Sequence, residues 1–196
     1  MGYYIRVLGT NPDIGSLQSL RDNSRPAVLN VLQGTEDRWE RMVLTHASSQ
    51  EIAVIEKNPT IDGLGADELQ EFIEEVAHCE PESAASWLRD FFPSVKVIYA
   101  FQLLDGTDVD DGWTMLHSLY TAVWKDAGGI LQADGEGFTD EQGFTIVWQF
   151  EETVSGMWNM GSLQAGEWVH FEMDLGDEGQ RAAFRRGEVP QGLKLL

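Results

Sequence analysis

Three strand-like runs, 26–33 (PAVLNVLQ), 38–46 (RWERMVLTH) and 51–57 (EIAVIEK), follow one another with only GTED and ASSQ between them. Breaks this short cannot hold a crossover connection, which needs a dozen or more residues. The runs therefore pair antiparallel, as a meander. Residues 3–8 (YYIRVL) add a strand before it, and 15–22 read as a short helix after the loop GTNPDIG. The turn residues of NPTIDGLG close this first part.

The middle of the chain changes period. Leu69, Phe72, Ile73 and Val76 recur at helical spacing within 66–77, with Asp67, Glu68, Glu71, Glu74 and Glu75 on the other faces. A second helix is predicted over 81–92, opened by Pro81 and stopped by Pro93, with Ala84, Trp87, Leu88 and Phe91 as its stripe. The run 95–104 (VKVIYAFQLL) is nearly all apolar, the pattern of a central strand buried on both faces. A third helix carries Trp113, Leu116, Tyr120, Val123 and Trp124, and Gly128-Gly129 ends it. Strands return at 129–138, 144–151 and 166–174, followed by a short helix near 177–186. This order predicts an α+β fold with a mostly antiparallel sheet, three main helices and strands at both ends of the chain. The 196 residues are expected to form one domain, divisible into a strand-rich 1–62 and a helix-then-strand 63–196.

Charge sets the surface. Thirty-three acids against thirteen bases give −20, and residues 97–180 hold sixteen carboxylates with Lys125 as their single base. Such a field repels nucleic acid and anionic membrane and favours basic partners. A hydrophobic content of 42% with seven tryptophans supplies a sizeable core. No apolar run approaches the roughly 20 residues of a membrane span. The start MGYYIRVLGTNP has neither a basic n-region nor an apolar h-region, and Cys79 has no second cysteine to pair with. A cytoplasmic protein is expected.

Ligand spacing excludes the acidic loops as EF-hand calcium sites. An EF-hand needs oxygen ligands at positions 1, 3 and 5, Gly at 6 and Glu at 12. Counting from Asp134 puts Phe138 at position 5 and Thr139 at 6, and setting Gly112 at 6 puts Val109 at 3. Asp108, Asp110 and Asp111 in DGTDVDDG read instead as solvated acids capping the next helix. Gly135-Glu136-Gly137 is not a phosphate loop, because it lacks GxGxxG and a following lysine. His46, His117 and His170 lie on different elements, and His78 and Cys79 are sequence neighbours that do not face each other on a helix. No catalytic residue, metal site or cofactor is predicted.

LQADGEGFTDEQGF (131–144) leaves two registers open. A four-residue turn pairs Thr139 with Phe144 and leaves Asp134 and Glu136 on the polar side. A three-residue loop with a bulge at Gly143 pairs Asp140 with Phe144 and turns Glu136 towards Trp148 and Asp134 towards Phe150. In 153–168, Met157, Trp158 and Met160 sit among Gly and Ser in a loop or loose strand. The composition is similar to that of bacterial inhibitor and toxin-immunity proteins. The leading expectation is a non-enzymatic module binding a basic protein surface. Its binding residues would be Asp108, Asp110, Asp111, Asp134 and Glu136, with Trp148 and Trp158 as aromatic anchors. The alternatives are a hydrolase or small-ligand binder using Asp134 and Glu136 in a pocket walled by Trp148, and a nucleic-acid mimic.

Overall fold

The computed structural model describes residues 2–196. The first half begins with β1 (Tyr4–Gly9), α1 (Leu17–Asn23), β2 (Val28–Gly34), β3 (Trp39–Thr45) and β4 (Glu51–Pro59). Next come α2 (Gly63–Val76), α3 (Glu82–Phe91), β5 (Val97–Leu103) and α4 (Gly112–Ala127). The chain continues through β6 (Ile130–Ala133), β7 (Gly137–Thr139), β8 (Met157–Gln164), β9 (Glu167–Asp174) and α5 (Glu178–Arg185). Seven strands form one mostly antiparallel sheet in the order β2-β3-β4-β5-β1-β6-β7, and β8 and β9 form a second. The fold is α+β, with five helices and strands towards both ends.

The chain divides into two compact units. One comprises residues up to Asp67 together with Val95–Leu131. Here β2, β3 and β4 form the expected meander, with Leu29 opposite Leu44 and Val43 opposite Val54. The apolar strand β5 lies between β4 and β1, with Ile55 and Ile5 both opposite Phe101. Val97, Ile98, Tyr99 and Phe101 are fully buried, as a strand covered on both faces requires. α1 and α4 pack on each other and against strands of this unit. α4 buries Met115, Leu116, Leu119, Val123 and Ala127, one stripe at three- and four-residue spacing.

The other unit comprises Glu68–Ser94 and Gln132–Leu196. Its core is aromatic: Trp148, Phe150, Met160, Phe171, Met173, Leu175 and Phe184 form one buried cluster. Edge-on ring pairs, Trp148 with Phe150 at 5.2 Å and Phe150 with Trp158 at 5.4 Å, run through it. Phe138 on β7 meets Phe72 of α2 edge-on at 5.5 Å.

Three expectations change here. Residues 129–138 are two strands, because Asp134, Gly135 and Glu136 form the turn between β6 and β7, closed by Glu136 N–H donating to Ala133 O. Residues 144–151 form no strand; Thr145 bridges Thr139 on one side and Met160 on the other, and Trp148 bridges Glu80. Residues 157–164, expected as a loop or loose strand, form the regular strand β8, which pairs along its whole length with β9.

Candidate functional site

The link from β5 to α4 concentrates exposed acid on a tightly held backbone. Leu104 N–H donates to Ile52 O, which ties the link to β4, and Thr107 closes back on Leu104 O through both its N–H and its hydroxyl. Two glycines permit this packing. A Cβ at Gly106 would collide with Glu51 O, and one at Gly112 would collide with Gly106 O. Only a residue without a side chain allows backbone to approach backbone so closely. The side chains of Asp105, Asp108, Asp110 and Asp111 are consequently turned to solvent from a backbone with little freedom.

Asp111 holds the N-cap position of α4, but in a left-handed conformation (φ 64°), and its carboxylate makes no capping hydrogen bond. The expectation that these aspartates cap the helix is therefore corrected: Asp111 alone holds the cap position, and its side chain does not cap. Of the four, Asp111 stands nearest the positive end of α4, whose dipole favours negative charge within about one turn. Beside them, Trp113 in the first turn of α4 is 46% exposed. Helical spacing groups Trp113 with Leu116, but the buried stripe runs through Met115, Leu116 and Leu119 and leaves Trp113 to one side.

The other candidates separate from this loop. Asp134 and Glu136 are half-buried on the β6–β7 turn, and both are engaged by other groups. The bulged register holds: Asp140 N–H donates to Phe144 O, Thr139 faces Thr145, and Gly143 has φ 92°. It does not carry Glu136 to Trp148, because the turn at 134–136 ends the strand first. Trp148 N–H instead donates to Glu80 O at 2.7 Å. At 8% exposure, Trp148 is a core residue and not a surface anchor. Trp158 is half-buried, and its indole N–H donates to Thr145 Oγ1 at 2.9 Å. Of the apolar residues expected at this surface, Met157 alone is exposed.

One ionisable pair has no local signal in the sequence. His170 on β9 meets Asp140 through Nε2 and Oδ2 at 2.7 Å, both side chains being almost fully buried. The second carboxylate oxygen accepts from Gln142 N–H and Phe144 N–H, and the Phe144 ring stacks on the imidazole at 3.9 Å. The pair thus pins the 140–144 turn to β9. Cys79 is half-buried beside Gln149, whose amide donates to Sγ at 3.5 Å. Burial pushes its thiol above the ordinary cysteine value; the Gln149 bond opposes this and Glu75 adds to it. Such a thiol is a poor nucleophile at neutral pH.

Among the described residues, no three His, Cys, Asp or Glu side chains converge as metal ligands would. No helix is long and apolar enough to cross a membrane. In comparisons with known proteins, the chain matches no protein family, no curated protein and no solved structure.

Proposed function

We propose that the protein is a non-enzymatic interaction module that binds a basic protein surface through the loop from Asp105 to Trp113. The observation that carries this reading is the exposed Trp113 indole beside four outward carboxylates on a rigid backbone. A large, stiff aromatic ring supplies contact area at low entropic cost, and Trp is enriched among the residues that dominate binding energy. The surrounding acids select a Lys- or Arg-rich partner, and the −20 field speeds its approach. Because the backbone is already held, little ordering cost remains for the bound state.

The test is capture of basic proteins from a native lysate, followed by titration of the purified partner at rising salt. The expected result is a complex weakened by salt, with Trp113→Ala raising Kd about tenfold or more. Asp108→Asn, Asp110→Asn and Asp111→Asn together should slow association and flatten the salt dependence. Asp134→Asn with Glu136→Gln should leave the affinity unchanged. A partner whose affinity ignores Trp113 and the three aspartates but falls with Asp134 and Glu136 would overturn the assignment.

A further inference from the structure

Two clefts adjoin on the unit that carries β3 and β4, with volumes of about 620 Å3 and 330 Å3. Both lie in the size range of small-molecule sites, roughly 300–1,000 Å3. Five residues line both clefts: Asp13, Asp37, Arg38, Trp39 and Lys57. This shared wall therefore carries two carboxylates, two cations and one indole.

None of the four charged side chains makes an ion pair with another described residue, although other charges around the clefts do. Arg21 pairs with Glu36 at 2.9 Å and Arg41 with Glu56 at 3.3 Å. Lys57 is half-buried, and its ammonium stands 6.0 Å from the Trp39 ring and 5.9 Å from the Tyr99 ring in place of a carboxylate. Asp13 lies close enough to Tyr99 to oppose its ionisation, second to the burial of the phenol. Trp39, 7% exposed, is backed by Tyr99 at a ring distance of 5.9 Å, which is fully buried with its hydroxyl donating to Pro12 O at 3.0 Å. Leu64, 73% exposed, offers an apolar wall to the larger cleft.

Charge narrows the ligand. A simple anion would meet Arg38 and Lys57 but must approach a molecule of charge −20. A simple cation would be drawn by that field and then meet two unneutralised cations at the wall. A zwitterion carries no net charge through the field and can satisfy both pairs on arrival. We infer that these joined clefts bind a small zwitterion of the amino-acid or short-peptide class. Its carboxylate would face Arg38 and Lys57, its ammonium Asp13 and Asp37, and an apolar side chain Leu64 and the Trp39 edge. This site is independent of the Asp105–Trp113 loop.

The experiment uses leucine and leucyl-leucine, with N-acetyl and C-terminal amide forms of each, titrated into the intact protein by calorimetry and by NMR of the indole N–H signals. The expected result is saturable binding of a free zwitterion at millimolar or lower concentration, with the Trp39 signal shifting. Blocking either terminus should weaken binding about tenfold. Arg38→Gln should weaken the free and amine-blocked forms while leaving the amide form, which has lost its carboxylate, unchanged. Asp37→Asn should show the reverse pattern. Absence of saturable binding, or equal binding of blocked and free forms, would overturn the inference whether or not the variants fold, because the blocked ligands need no variant.

Discussion

The Asp140–His170 pair shows what a single contact does in the aromatic unit. The Asp140 carboxylate serves two backbone N–H groups of its own turn and the imidazole of His170 on β9, thirty positions later in the chain. Removing it leaves the His170 nitrogen unpaired in a buried place and the two turn N–H groups unpaired in a partly buried one, where an orphaned group costs about 1–3 kcal/mol. Asp140→Ala should therefore lower unfolding free energy by about 2–4 kcal/mol, measured by denaturant titration. Asp140→Asn keeps an oxygen for both N–H groups, so its loss should be smaller, about 1–2 kcal/mol. Equal losses for the two substitutions would show that the turn's N–H groups are not what the carboxylate holds.

At the scale of elements, the β8–β9 hairpin turns through Ala165-Gly166, between the paired Gln164 and Glu167. Both turn residues have positive φ, 51° and 90°, the arrangement of a type I′ turn. Alanine is a poor occupant of the first position and asparagine a good one. Ala165→Asn should raise stability by about 0.5–1 kcal/mol, read as a shift in the denaturant midpoint at constant slope. Which elements the sequence revealed follows from how local their cause is. The meander was legible because its breaks are short, and β5 because its apolar run has no polar face. The Asp134–Glu136 turn is masked in the sequence because Gln132, Asp134, Glu136 and Phe138 alternate as a strand does, a period stronger than the Asp-Gly turn signal. Trp113 lies too near the helical stripe for spacing alone to expose it. Asp140 and His170 are joined only by the fold, so no window of sequence contains both.

For the whole molecule, −20 on 196 residues is a standing repulsion. The exposed ion pairs, such as Arg186 with Glu188 and Arg25 with Asp22, are screened by water and cannot offset it. Salt at about 0.15 M shortens the screening length to about 8 Å, so the melting temperature should rise from low salt to that point. A fall would mean that the ion pairs outweigh the repulsion. The place of β5 has a further consequence during synthesis. It is the neighbour of both β4 and β1, yet the ribosome makes α2 and α3 before it. Until residues 97–103 emerge, the buried face of β4, Ile52 to Ile55, has an open edge and β1 has no partner on that side. The nascent chain therefore carries its meander half-finished while it waits for the strand that joins it to the N-terminus, and that interval is when the protein is most exposed to pairing with the wrong neighbour.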